Sequence, residues 1–159
     1  ENNIAAYRGG FSHNIFNLEQ GPISNLYEPA LNVLLTALDK QGQELESLLR
    51  IRLGFATRTP TPVVHSPHVD RSQPHRTGIY YLHDTDGPTV LYKEKCVYND
   101  PNVPRDYTVE TSVNPEANKW FDFDGAHFHS STSPVKHEER FVLTFNYTVV
   151  GGELHNESY

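Results

Sequence analysis

The chain has 159 residues, 36 % hydrophobic and 21 % charged, with a formal charge of −7 at neutral pH. That balance suits one folded domain with a sizeable core and excludes a disordered chain. The scattered basic residues disfavour nucleic-acid binding, which needs a clustered cationic face, and no apolar run is long enough to span a membrane.

Cys96 is the only cysteine, so no internal disulfide can form and a reducing cytoplasm is the expected compartment. Residues 1–24 are polar with short apolar patches at Phe11, Ile15, Phe16 and Leu18, which predicts irregular structure or an edge strand. Pro29 suits the first turn of a helix, and Leu31, Leu34, Leu35 and Leu38 follow helical spacing, so an amphipathic helix is predicted over 28–40. Leu45, Leu48 and Leu49, beyond Gly42, predict one or two more helical turns. From Arg50 the period becomes two: Ile51, Leu53 and Phe55 alternate with Arg52 and Gly54, until RTPTP at 58–62 breaks the strand.

Further strands are predicted at 63–70, 77–83, 88–94, 107–113, 118–123, 126–130 and 139–150. Turn signals such as Asp86-Gly87-Pro88, Asn99-Asp100-Pro101 and Asp124-Gly125 separate them. Many short strands after a helical segment predict a mainly β sandwich or barrel with helices packed on one face. The last strand has two unlike faces. Phe141, Leu143, Phe145 and Tyr147 make a greasy one suited to the helix at 28–40; Arg140, Val142, Thr144 and Asn146 make one suited to water or a pocket. An arginine opening such a face suggests an anionic partner.

The chemistry concentrates in two histidine clusters. In HSPHVD, residues 65–70, His68 and Asp70 fall on one face of an extended segment. Such a pair could be a general base with its orienting carboxylate, a surface ion pair, or two-thirds of a metal site. In FDGAHFHSSTSPV, residues 123–135, His127 and His129 share a face, and spacing alone does not choose between them. Either would complete a two-histidine, one-carboxylate set, which leaves coordination positions open and suits non-haem Fe(II).

The order of these features resembles the 2-oxoglutarate/Fe(II)-dependent dioxygenases, most of all their prolyl-4-hydroxylase-like branch and the small oxygenases of phages and bacteria. The resemblance covers about residues 50–150: His68-x-Asp70, then TGIYYLHDTDGPTVLY (77–92), then FDGAHFHSSTSPV, then Arg140 eleven positions after His129. It implies a double-stranded β-helix, or cupin-like jelly roll, with one or two N-terminal helices on its major sheet. Residues 1–159 would be one domain, with 1–49 as helical support and 50–150 as the core.

By the same resemblance, Gly125-x-x-x-His129 makes His129 the third ligand beside His68 and Asp70, and His127 a neighbour. Arg140 would grip the far carboxylate of 2-oxoglutarate, with Tyr81 bonding that carboxylate and Thr144 lining the pocket; Thr89 is a weaker candidate. Arg50, Arg52 and Arg58 lie where relatives often contact substrate. Fe(II), 2-oxoglutarate and O2 are the implied cofactor and co-substrates, with ascorbate a candidate reductant. The implied reaction is hydroxylation of an unactivated C–H bond in a small-molecule or peptidyl substrate, a prolyl residue included, in the cytoplasm of a bacterium or phage-infected cell. Aromatic side chains, Trp120 among them, would keep the pocket dry. Arginine stands where collagen-type prolyl hydroxylases use lysine, so a prolyl substrate is not implied. The competing readings are a non-catalytic jelly-roll binding module and a cupin-type metalloenzyme that uses no 2-oxoglutarate.

Overall fold

A computed structural model of the chain describes residues 10–100 and 102–152. Strands β1 (Gly10–Asn17) and β2 (Gly21–Pro22) precede the helix α1 (Tyr27–Gln41). Then follow β3 (Leu45–Thr57), β4 (Arg76–Tyr81), β5 (Thr89–Lys95), β6 (Val109–Val113), β7 (Lys119–Asp124), β8 (His127–Ser131) and β9 (Glu139–Val149). A six-stranded sheet runs β2-β1-β3-β9-β4-β7, and a three-stranded sheet runs β6-β5-β8. Every strand pairing is antiparallel.

The helix lies where its periodicity predicts. It ends at Gly42, whose φ of 66° is the left-handed conformation that glycine adopts at least cost. Ala30, Leu34 and Leu38 bury against Ile15, Ile51, Leu143, Phe145 and Tyr147 of the large sheet. Most of the greasy face of β9 therefore meets α1, as its alternation predicts. Phe141 lies outside that cluster and packs on Phe55 at 4.8 Å between ring centroids. A second cluster joins the inward faces of the two sheets: Ile79, Tyr81, Phe123 and Val142 from the large one, Leu91 from the small one. A core on each side of the large sheet leaves the mouth between the sheets free to hold polar groups.

Three expectations are corrected. Leu45, Leu48 and Leu49 belong to β3 and not to a helix. Two register shifts against β9, between Leu45 and Ser47 and between Leu48 and Arg50, insert extra residues. They stretch the inward spacing from two to three, which imitates a helical repeat. Among the described residues a single helix thus packs on the sheet, and the region before residue 50 also supplies β1 and β2 to it. Residues 10–17 form a full strand, whereas the first nine residues of that stretch lie outside the described ones.

The second correction concerns 63–70, which forms only two isolated bridges, Val64 to Thr132 and His68 to His129. Pro67 has no N–H to give a continuous ladder. The third concerns Trp120, which faces the helix-side core, 5.4 Å from the Phe145 ring, and not the pocket. Among the described residues no helix is long and apolar enough to cross a membrane.

Candidate metal centre

The bridge between His68 and His129 brings the two histidine clusters together. The His68 N–H donates to the His129 carbonyl at 3.0 Å and the His129 N–H returns the bond at 2.9 Å. The two rings then lie 4.5 Å apart between centroids. Asp70 completes the group. Its Oδ1 is 3.9 Å from His68 Nε2 and its Oδ2 is 3.8 Å from His129 Nε2. One donor atom from each of the three residues lies within 4.8 Å of the other two.

His127 takes no part: its Nδ1 donates to the Tyr92 carbonyl at 2.8 Å and lies 3.4 Å from Glu110. A register shift separates it from His129, since His129 pairs with Leu91 but His127 pairs with Lys95. Two residues on nominally one strand face therefore diverge. Gly125 opens the turn before them, where a Cβ would collide with the His75 ring.

The donor set fits a divalent transition metal. Each histidine donates its Nδ1–H to a backbone carbonyl two residues earlier, His68 to Ser66 at 3.1 Å and His129 to His127 at 3.3 Å. That fixes the tautomer and leaves both Nε2 lone pairs facing Asp70, as metal ligation requires. Burial drives the pKa of His129 down to about 4, against the pull of Asp70, so the ring is a neutral donor at physiological pH. Asp70 has 2 % of its side chain exposed. Burial alone would raise its pKa, but His129, Arg50, the Asn146 hydrogen bond and Arg52 hold it well below the usual carboxylate range. His68 is 44 % exposed, so the centre opens to solvent on that side.

Asp70 is held by residues on two neighbouring strands. Arg50 Nη2 donates to Oδ1 at 2.7 Å, Asn146 Nδ2 donates to Oδ2 at 2.9 Å, and Arg50 Nε donates to Asn146 Oδ1 at 2.8 Å. Sequence reasoning placed Arg50 near the site but missed this role, which depends on the pairing of Arg50 with Asn146 across β3 and β9. Arg58 instead makes a surface pair with Glu138.

A pocket of about 280 Å³ reaches His68 and His129, and its walls include Arg52, Thr89, Arg140 and Thr144. Arg140 is 4 % exposed, and no acidic side chain pairs with it among the described residues. Its Nε donates to the Gly87 carbonyl at 2.7 Å and its Nη2 to Thr89 Oγ1 at 2.8 Å. A buried guanidinium bonded only to neutral oxygens lacks a counter-charge. Tyr81 lies behind this wall. It is fully buried, it does not line the pocket, and its hydroxyl donates to Thr89 Oγ1 at 2.8 Å. Thr89, the weaker candidate by sequence, is the residue that reaches the pocket. Its oxygen accepts from both Tyr81 and Arg140, which leaves its own O–H as a donor.

No family model matches the sequence, and no curated protein matches it. Solved structures do. A 2OG-Fe(II) oxygenase family oxidoreductase from Burkholderia pseudomallei superposes with a TM-score of 0.61 at 16 % identity, over 95 % of this chain and 74 % of that one. A prolyl hydroxylase from Trichoplax adhaerens, in complex with a hypoxia inducible factor peptide fragment, gives 0.55 at 15 % identity, over 88 % of this chain and 63 % of that one. HygX from Streptomyces hygroscopicus, with nickel and 2-oxoglutarate bound, gives 0.51 at 15 % identity, over 90 % and 72 %. The fold is therefore the jelly roll of the 2OG-Fe(II) oxygenases. The chain spans less than two thirds of the Trichoplax enzyme's length.

Proposed function

We propose that this chain is a 2-oxoglutarate- and Fe(II)-dependent dioxygenase that hydroxylates an unactivated C–H bond. The observation that carries the reading is the buried, uncompensated Arg140 guanidinium in the pocket that also holds the two candidate histidine ligands. A metal site alone would not need it; a dicarboxylate co-substrate would.

His68, Asp70 and His129 hold the metal in this reading. Bound Fe(II) would supply the oxidation: 2-oxoglutarate, O2 and R–H give succinate, CO2 and R–OH. The protein's part is placement. Arg140 offers a planar two-pronged donor to the far carboxylate of 2-oxoglutarate, and Thr89 adds its O–H. Tyr81 acts through Thr89 and beneath Arg140, whose Cζ lies 5.9 Å from the Tyr81 ring centroid. Thr144, 6 % exposed, closes the pocket wall. Asn146 and Arg50 keep the Asp70 carboxylate from turning. The fold of the Trichoplax prolyl hydroxylase is consistent with a peptidyl substrate, a prolyl residue included, and a small molecule fits the same chemistry. The lone cysteine accords with a cytoplasmic setting, and ascorbate would serve as an accessory reductant.

The test is anaerobic addition of Fe(II) and 2-oxoglutarate. The reading predicts a visible charge-transfer band that vanishes in His68→Ala and weakens in Arg140→Ala. A titration with no band in the wild-type protein would overturn it.

A further inference from the structure

Arg52 stands on β3 in the wall of the pocket that holds Arg140, and its charge is poorly answered. Its Nε is buried with no hydrogen-bond partner. Its ion pair among the described residues is loose: Nη2 lies 3.8 Å from Asp70 Oδ1, an oxygen that already accepts from Arg50 at 2.7 Å. Asp70 is also the candidate metal ligand, which leaves it little charge to offer a second guanidinium.

The charges around the pocket do not balance. Arg50, Arg52 and Arg140 bring three cations, Asp70 answers with a single carboxylate, and no Asp or Glu lines the pocket among the described residues. Fe(II) and the 2-oxoglutarate dianion would cancel each other. Two positive charges then remain where burial makes an unanswered charge costly.

The β3–β9 ladder separates Arg52 from Arg140. Arg140 is opposite Ala56 and Arg52 is opposite Thr144, about 13 Å apart along the strands. Arg140 bonds Gly87 and Thr89 at one end of the pocket, and Arg52 reaches toward Asp70 at the other. An anion on Arg52 therefore lies beside the candidate metal ligands. Gly54, Ala56, Ile79 and Val142 give the adjoining wall an aliphatic surface, suited to a hydrocarbon chain.

We infer that Arg52 binds an anionic group of the primary substrate, so that the site selects aliphatic oxyanions over neutral molecules. The inference rests on the dioxygenase reading, which assigns Arg140 to 2-oxoglutarate and leaves Arg52 for a second anion. The Nε and Nη2 edge of a guanidinium matches two oxygens of a carboxylate or of a phosphonate.

Ligand-observed NMR on the protein loaded with Zn(II) and 2-oxoglutarate tests it without turnover. The probes are 4-methylpentanoate, 4-methylpentylphosphonate and the neutral 4-methylpentanamide. At least one anion is expected to bind about tenfold more tightly than the amide, the gain from one charge-assisted contact. Arg52→Gln removes that preference and Arg52→Lys recovers part of it. Arg58→Gln, which takes the same charge from a surface pair, leaves it intact. The stronger of the two anions identifies the oxyanion preferred.

No binding by either anion, equal binding of anions and amide, or a preference that survives Arg52→Gln overturns the inference. So does an equal loss of 2-oxoglutarate affinity in Arg52→Gln, which would assign Arg52 to the co-substrate. Mn(II) binding weakened in Arg52→Gln as in Arg50→Gln would assign it instead to holding Asp70. Arg52-dependent anion binding in a protein that gives no charge-transfer band with Fe(II) and 2-oxoglutarate overturns the dioxygenase reading and leaves the anion site standing.

Discussion

Arg50, Asp70 and Asn146 close a ring of hydrogen bonds around the one carboxylate of the candidate centre, and its shortest member is Arg50 to Asp70 at 2.7 Å. The ring fixes both carboxylate oxygens while leaving lone pairs toward the histidines. Arg50→Gln is expected to weaken Mn(II) binding by about 10- to 100-fold, the usual effect of removing a partner of a metal ligand. Arg50→Lys keeps the charge but cannot bond Asp70 and Asn146 together, so it falls between. Mn(II) titration followed by electron paramagnetic resonance measures both. Wild-type affinity in Arg50→Gln would remove Arg50 from the account.

Arg140 has no acidic partner among the described residues, so its proposed work is done only with a ligand present. Arg140→Ala is expected to raise the half-saturating 2-oxoglutarate concentration by about a hundredfold, in line with about 2–5 kcal/mol for one partner of a buried charged pair. Thr89→Val keeps the shape and loses one neutral bond, worth about 1 kcal/mol or roughly fivefold. Succinate release against 2-oxoglutarate concentration separates the two. Equal effects would mean that Thr89 does more than orient the guanidinium.

Gly87 supports Arg140 from the turn between β4 and β5. Its φ is +88°, and a Cβ there would sit 2.5 Å from the Thr132 carbonyl oxygen. Gly87→Ala therefore strains the turn by about 1–3 kcal/mol and displaces the carbonyl that Arg140 Nε bonds. A lower urea midpoint together with weaker 2-oxoglutarate binding is expected. A fall in stability alone would show that Arg140 tolerates the shift.

Asp86 ties the same turn to the entry of β9. Its carboxylate accepts from the backbone N–H groups of Val135, Lys136 and His137. Burial acts upward on its pKa, but the His137 side chain and those three N–H groups outweigh it and hold the carboxyl below its usual range. The folded state thus binds this proton less readily than the unfolded chain. Its stabilisation is present above the unfolded pKa, about 4, and is lost as pH falls through the lower folded value. Asp86→Asn should flatten the acid side of the stability profile, as read by urea unfolding between about pH 2 and 5. An unchanged slope would assign acid sensitivity to other carboxyls.

The parts of the fold legible in the sequence were those with local periodicity. Helix α1 and the two faces of β9 follow directly from leucine spacing and strict alternation. Leu45–Leu49 misled because bulges copy a helical repeat, and 63–70 misled because Pro67 interrupts a ladder that its alternation suggests. Trp120 went to the wrong side because strand parity separates it from Phe121 and Phe123, and sequence alone does not say which parity faces the pocket. His68, Asp70 and His129 stood out as residue types in order. Arg50 and Thr89 did not, because their roles come from partners far along the chain: Arg50 bonds Asn146 across 96 positions, and Thr89 bonds Arg140 across 51.

The pairing of β3 with β9 also governs when a newly made chain becomes competent. His68, Asp70 and His129 all leave the ribosome before Asn146 does. Until β9 docks, Asp70 has only part of its support and Arg140 has no wall to stand in. Long-range strand pairing of this kind forms slowly, so a nascent polypeptide carries its candidate metal-binding side chains unassembled until β9 has emerged and paired. In the proposed reading, capture of the metal is then coupled to the closing of the sheet and not to the arrival of the ligands.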